Sequence, residues 1–181
     1  YSSRAETTLI DYTSDFSSGV DGWVEYAVTE GNMTISANQN PNSDGGPDES
    51  GWLKINWNTN QTSTSGFQKT LHTNSLINGD DLTIGYKIFI PNDSNQFIGS
   101  DAITYKVASV TGTTAMLNTV LDNGDQVTDF NTALISPTTI SNYDEGETVK
   151  IQFRFDLSTD YPQAGANVYI KDVNILHTRL S

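Results

Sequence analysis

The stretch Ala166-Asn-Val-Tyr-Ile-Lys-Asp-Val-Asn-Ile-Leu176 decides the fold, because its apolar residues alternate with polar ones as in a half-buried β-strand. Near the other end of the chain, Asp15-Phe-Ser-Ser-Gly-Val-Asp-Gly-Trp23 is a turn punctuated by glycines that ends in a tryptophan. Together the two segments indicate a β-domain that extends from near the start of the chain to near its end.

Strand-like stretches between clusters of turn residues continue this pattern through the chain, and no segment has the apolar spacing of an amphipathic helix. A chain of 181 residues suits one domain. We therefore predict an all-β fold, a single β-sandwich of jelly-roll topology over residues 9–181, preceded by an N-terminal arm, residues 1–8. The predicted strands are 7–12, 23–29, 32–37, 52–57, 67–73, 81–90, 103–110, 115–121, 131–135, 149–157 and 167–176.

Charge and composition narrow the function. Nine Lys and Arg residues against 22 Asp and Glu give a formal charge of −13, which repels a phosphate backbone, so nucleic acid is not an expected partner. The chain has no cysteine for a disulfide or a thiolate site, and its apolar runs are too short for membrane insertion. Because the sequence starts at Tyr1 without a signal peptide, we expect a processed or excised part of an exported protein, secreted or at the cell surface.

Alternation assigns the two faces of three strands. The apolar faces, predicted to form the core, hold Leu53, Ile55, Trp57, Leu82, Ile84, Tyr86, Ile88, Ile151, Phe153 and Phe155. The opposite faces combine aromatic rings with amides and cations, as a surface that stacks on sugar rings and binds their hydroxyls requires. If these strands share a sheet, the predicted carbohydrate-binding residues are Trp52, Lys54, Asn56, Lys87, Phe89, Gln152 and Arg154. The simpler interpretation is that Trp52 and Phe89 cover core edges, while Lys87 and Arg154 keep the sheet soluble.

Three motifs resemble those of the galactose-binding-like jelly rolls of carbohydrate-binding modules. They are the turn Phe16-x-x-Gly19 followed by Gly22-Trp23, the strand Ile84-Gly-Tyr-Lys-Ile-Phe-Ile90, and the closing strand Val168-Tyr-Ile-Lys-Asp-Val-Asn-Ile175. The resemblance implies a non-catalytic, extracellular module whose partner is a glycan or polysaccharide.

The resemblance also implies a structural Ca²⁺ that ties the chain ends together, held by an acid just after the early Phe and by another acid in the last strand. Ser17 and Lys171 stand at those two positions in this chain. A hard cation takes six to eight oxygen ligands. Asp15, Asp21 and Asp172, helped by backbone carbonyls, are the metal ligands that the sequence offers.

Catalytic motifs are missing around the two histidines, His72 and His177, so we expect no enzymatic activity. An alternative is a structural subunit of an extracellular or virion assembly, such as a filament, tube or fibre. In that hypothesis the N-terminal arm pairs with a sheet edge of another copy, and calcium offsets the repulsion between acidic copies. A jelly-roll lyase or hydrolase is a weaker option, since one fold serves many functions.

Overall fold

The computed structural model describes residues 5–26, 32–61, 65–71, 77–91, 102–109, 115–122, 132–139, 149–156 and 164–180. These residues contain eleven β-strands and one short 3₁₀ helix, Pro41–Asp44. The strands are β1 (Glu6–Ser14), β2 (Val24–Tyr26), β3 (Met33–Gln39), β4 (Trp52–Trp57), β5 (Ser65–Leu71), β6 (Asp81–Phe89), β7 (Ala102–Ser109), β8 (Ala115–Asp122), β9 (Thr132–Thr139), β10 (Val149–Asp156) and β11 (Asn167–Leu180). Within the described residues, no helix is long and apolar enough to cross a membrane.

The strands form two antiparallel sheets. A six-stranded sheet has the order β3-β4-β11-β6-β9, with β1 also paired to β11, and a five-stranded sheet has the order β2-β5-β10-β7-β8. Buried side chains from both sheets make one continuous core. The predicted all-β sandwich is therefore confirmed.

Strand β11 is the centre of the six-stranded sheet. Its first residues, Asn167–Ile170, pair with β4, its later residues pair with β1, and β6 lies along its other side. The register with β6 shifts between Lys171 and Asn174, and Asp172 has a positive φ of 50°. This β-bulge moves the core-facing positions from even to odd numbers, so Val168 and Ile170 precede it and Val173 and Ile175 follow it.

The core is built around aromatic rings. Phe67 and Phe153 stack with their centroids 5.1 Å apart, Trp23 packs against both, and Tyr86 meets Phe153 edge-on. The predicted inward residues of β4 and most of those described in β6 and β10 lie in this core, as alternation requires. Ile84 and Phe155 belong to these strands, but their side chains lie outside the described part.

Strand β1 begins at Glu6 and pairs with the end of β11, from Glu6 opposite Leu180 to Ser14 opposite Val173. Residues 6–8, which we assigned to the N-terminal arm, therefore belong to a sheet of their own chain. Residues 1–4 lie outside the described residues, so an arm at that position stays a prediction.

Replacing Phe67 by Ala removes a buried ring and leaves a cavity, so we expect the free energy of unfolding to fall by about 3–5 kcal/mol. Val24 lies on the neighbouring strand and is 50% exposed, so the control Val24→Ala changes stability by less than about 0.5 kcal/mol. Urea unfolding measures both variants. Equal, small losses in the two would contradict the core assignment.

Candidate functional site

The outer face of the six-stranded sheet carries five of the seven predicted sugar-binding residues. Trp52 of β4, Tyr169 of β11 and Phe89 of β6 form a cluster on this face, separate from the main core. Their exposed fractions are only 0%, 1% and 2%. The expectation that Trp52 and Phe89 present rings to solvent is therefore wrong, and the alternative, that they cover core edges, is closer to the structure.

The rings are buried because the connection between β3 and β4 folds over them. We call this connection, residues 40–51, the covering segment. Its 3₁₀ helix begins after Asn40, whose side chain accepts a hydrogen bond from the backbone N–H of Asn42 at 3.0 Å. Gly46 packs so closely that a Cβ there would lie 2.8 Å from atoms of both Phe89 and Pro41. A side chain at Gly46 would therefore force Phe89 or the segment to move.

Polar contacts hold the covering segment to β11. The hydroxyl of Tyr169 donates to Asp44, and Lys171 Nζ lies 2.7 Å from Glu49 Oε1 and 2.9 Å from the carbonyl oxygen of Ser50. Burial, followed by the bond to Asp44, raises the pKa of Tyr169 well above its ordinary value. The phenol therefore stays protonated and continues to donate at physiological pH.

The predicted polar residues of this face are engaged in contacts within the chain. Lys54 Nζ lies 5.7 Å from the ring centroid of Tyr169, and Lys87 Nζ lies 3.2 Å from a carboxylate oxygen of Asp172. Asn56 donates to Asn167 at 2.5 Å. The structure thus gathers Trp52, Lys54, Asn56, Lys87 and Phe89 on one face, with the two rings covered and the three polar side chains partly exposed.

The other two predicted residues, Gln152 and Arg154, lie on β10 in the five-stranded sheet, so the predicted single platform is divided between two sheets. Gln152 is 1% exposed, and its Nε2 donates to Gln68 Oε1 at 2.8 Å. The side chain of Arg154 lies outside the described part. Gln68 was not predicted because its contact with Gln152 depends on which strands pair.

Backbone register extends this amide pair into a row across the five-stranded sheet. We call it the amide row; its positions are Val24, Gln68, Gln152, Lys106 and Asn118. The adjacent row holds Tyr26, Gly66, Arg154, Thr104 and Val120, and the row on the other side holds Thr70, Lys150, Ala108 and Ala115. Directly opposite residues of antiparallel strands share a face. These positions therefore share one face of the sheet, and Tyr26 stands in its edge strand.

The three predicted metal ligands do not form one cluster. Asp15 Oδ1 accepts from the backbone and hydroxyl of Ser17 at 3.0 and 2.9 Å, bonds that lower the pKa of Asp15. Asp21 accepts from Tyr12 and Ser14, while Asp172 pairs with Lys87. Over the ranges described, no three His, Cys, Asp or Glu side chains are grouped to hold a metal ion. Asp15 and Asp21 bond within the N-terminal part of the chain, and Asp172 forms an ion pair between β11 and β6.

A hollow of about 440 Å³ lies beside the turn that follows β1. It is lined by Thr13, Ser14, Asp15, Phe16, Ser18, Gly19 and Asp21. Its two carboxylates are the hydrogen-bonded Asp15 and Asp21, and burial together with Asp21 raises the pKa of Tyr12 to about 12. The polar groups of this hollow therefore hold the turn together.

A buried ionic cluster joins the turn before β6 to the end of β11. Asp80 accepts from His177 Nε2 at 2.6 Å, from Arg179 at 2.7 Å through two nitrogens, and from the backbone N–H of Ile77 at 3.0 Å. Burial raises the pKa of Asp80, but the bonds from Arg179, His177 and Ile77 outweigh burial and lower it to about 2. With its oxygens occupied in this way, Asp80 is a structural anion.

The fold is the jelly-roll β-sandwich of carbohydrate-binding modules. The CBM22-1 xylan-binding domain of Paenibacillus barcinonensis Xyn10C is 14% identical, with 99% of this chain and 100% of that chain covered and a TM-score of 0.55. A CBM4 structure is 18% identical, with 92% and 94% covered and a TM-score of 0.54. The predicted resemblance is therefore confirmed as a likeness of fold.

An enzyme shares the same sandwich. The Stig cyclase Fisc from Fischerella sp. TAU, in complex with (3Z)-3-(1-methyl-2-pyrrolidinylidene)-3H-indole, is 14% identical, with 98% of this chain and 100% of that chain covered and a TM-score of 0.63. No protein-family model and no curated protein matches the sequence. Fold likeness at these identities does not separate binding from catalysis, so the site must decide function.

The three tryptophans of the chain are all buried, so we expect weak quenching of the native fluorescence by iodide and strong quenching after unfolding in urea. Trp52→Phe lowers the total emission and leaves the quenching of the remaining signal unchanged. A native component that iodide quenches readily, and that Trp52→Phe removes, would show that Trp52 is exposed.

The lowered pKa of Asp80 makes the stability of the folded domain depend on pH. Because its pKa is lowered from 3.8 to about 2 by folding, its stabilisation is complete above pH 4 and is lost as the pH falls from about 4 to about 2. Asp80→Asn should cost about 2 kcal/mol at neutral pH and progressively less towards pH 2. Urea unfolding across this range, with the exposed Glu25→Gln as the control, measures the difference. A gap that does not depend on pH would contradict the assignment.

Proposed function

We propose that this chain is a non-catalytic, extracellular carbohydrate-binding module whose glycan lies across the outer face of the five-stranded sheet. The observation that carries the proposal is the amide row. Gln152 lies in the central strand of that sheet, and Gln68 holds its side chain at 2.8 Å. An amide side chain offers both donors and an acceptor, which is the combination needed to bind the hydroxyls of a sugar.

The two sheets differ in what their outer faces offer. On the six-stranded sheet, Trp52, Phe89 and Tyr169 are buried beneath the covering segment. A glycan could stack there only after contacts such as the Lys171–Glu49 ion pair had been broken. On the five-stranded sheet, Gln152 is also only 1% exposed, but Gln68 and Tyr26 are partly exposed, so a glycan would reach the amide row through Gln68.

Apolar surface for the C–H faces of sugar rings is available beside the amide row. Val24 is 50% exposed at one end of the row, and Tyr26 is partly exposed on the same edge strand. Tyr26 stands opposite Gly66, which has no side chain to crowd the ring. A ring next to amides is the arrangement that sugar stacking with polar contacts requires.

The residue types of this face support binding without cleavage. Glycoside hydrolysis uses a pair of carboxyl groups on either side of the scissile bond. The amide row and the two rows beside it contain no Asp, Glu or His position. The net charge of −13 opposes acidic polysaccharides at long range, but the three rows contain Lys106, Lys150 and Arg154 and no acid, so both neutral and acidic glycans belong in the test.

Assembly into a filament, tube or fibre remains the alternative from the sequence. Residues 6–8, which belong to the arm in that hypothesis, pair with β11 of the same chain. Size-exclusion chromatography with and without Ca²⁺ separates the two hypotheses, since the binding module elutes as a monomer in both conditions.

Calorimetric titration with soluble xylan, mixed-linkage β-glucan, galactan and alginate tests the proposal. We expect saturable binding of at least one of these glycans, and about tenfold weaker binding by Gln152→Met, which keeps the size of the side chain but removes about 1.4 kcal/mol of hydrogen bonding. Lys54→Met, on the outer face of the six-stranded sheet, is the matched control and should bind as the unmodified chain does.

Three results would contradict the proposal. They are the absence of binding to every glycan of the panel, loss of binding in Lys54→Met but not in Gln152→Met, and release of new reducing ends or unsaturated products from a bound polysaccharide.

A further inference from the structure

The ammonium group of Lys171 lies among oxygen atoms from separate parts of the chain. It contacts Glu49 Oε1 at 2.7 Å and the carbonyl oxygen of Ser50 at 2.9 Å, and the side chain is 12% exposed. A Cβ added to Gly51 would lie 3.4 Å from Nζ and 3.6 Å from the carbonyl oxygen of Asp15. Lys171 therefore stands where β11, the covering segment and the turn after β1 meet.

Electrostatic effects on the surrounding acids agree with this position. The hydrogen bond from Lys171 is the main cause that lowers the pKa of Glu49. The pKa of Asp15 is lowered first by its bonds from Ser17, and Lys171 contributes as a nearby positive charge. One ammonium group thus acts on acids from both the N-terminal turn and the covering segment.

We infer that the Lys171 ammonium is the structural cation of this domain and takes the place of the Ca²⁺ that the resemblance implies. Both the ammonium group and a Ca²⁺ ion would join the last strand to earlier segments, because each is a positive charge that binds oxygen atoms. Asp15, Asp21 and Asp172 do not fit a Ca²⁺ site, since each is committed to a different partner. An ammonium group has three donors and needs far fewer oxygens than the six to eight that Ca²⁺ takes.

The replacement of Ca²⁺ by an ammonium group depends on a single residue, the lysine at position 171. A carboxylate at position 171 would add oxygens beside Glu49 and the Ser50 carbonyl, which would favour a divalent cation there. Lysine places a positive charge at the same point, which repels a divalent cation and occupies its oxygen ligands. The bulge at Asp172 leaves Lys171 on the outer side of β11, below the covering segment.

The fold of this chain is therefore independent of calcium, and Lys171 keeps Trp52 covered. Lys171 Nζ lies 6.0 Å from the centroid of the Trp52 ring, and Glu49 and Ser50 precede that residue in the chain. Loss of the ammonium group frees the end of the covering segment and opens a path for solvent to the indole.

Thermal unfolding in excess EDTA and in excess CaCl₂ tests the inference on the unmodified chain. We expect the same Tm in both conditions, and no heat of Ca²⁺ binding by calorimetry. A Tm that rises saturably with Ca²⁺ would overturn the inference without any variant, so the test does not depend on the folding of a mutant.

Variants test the assignment to Lys171 itself. Lys171→Met should lower Tm and increase iodide quenching of tryptophan fluorescence, whereas Lys54→Met, a lysine on the same face, should change neither. In Lys171→Asp, Ca²⁺ should raise Tm and bind with a measurable heat. Unchanged Tm and quenching in Lys171→Met, or a folded Lys171→Asp that ignores Ca²⁺, would contradict the inference.

Discussion

The β-bulge at Asp172 in β11 is the constraint on which the rest of the structure depends. One extra residue moves the inward positions of the strand from Val168 and Ile170 to Val173 and Ile175, so both halves of β11 face the core. The same strand then pairs with β4 through its first half and with β1 through its second. A regular strand of this sequence would turn the apolar residues of one half towards solvent.

The outward side chains before the bulge determine which surface is left for a ligand. Tyr169 and Lys171 hold Asp44, Glu49 and Ser50, so the covering segment stays over the aromatic cluster of the six-stranded sheet. The covering segment therefore stabilises the outer face of the six-stranded sheet. The amide row of the five-stranded sheet is then the remaining candidate surface. A xylan-binding domain and a cyclase both have a fold similar to that of this chain. Side chains, and not the fold, therefore decide between binding and catalysis.

Alternation along single strands predicted the core well. Leu53, Ile55 and Trp57 are buried as expected, since a period of two fixes which side of a strand faces inward. It could not predict the burial of Trp52, because the pattern separates two faces without showing what packs on the outer one. The covering segment lies between predicted strands, and nothing local in its sequence marks Gly46 as the contact with Phe89.

Pairing between strands that are distant in the sequence could not be predicted from the sequence alone. Gln152 was proposed as a binding residue, whereas Gln68 was missed, since neither strand specifies the register that joins them. The predicted strand ending at residue 135 continues as β9 to Thr139 past Pro137, which an edge strand tolerates because no further partner needs its N–H. The arm was misjudged at residues 6–8 for a related reason, because Glu6–Thr8 are polar but pair with the end of β11.

We expect a glycan to lie on the five-stranded sheet while the covering segment stays in place on the six-stranded sheet. Titration of the ¹⁵N-labelled chain with the oligosaccharide of each glycan in the binding panel, followed by NMR, tests it most directly. We expect saturable shifts of the side-chain amide signals of Gln68 and Gln152, with the Trp52 indole signal unmoved. Shifts centred on Trp52 and the covering segment, or no saturable shift with any oligosaccharide, would contradict it.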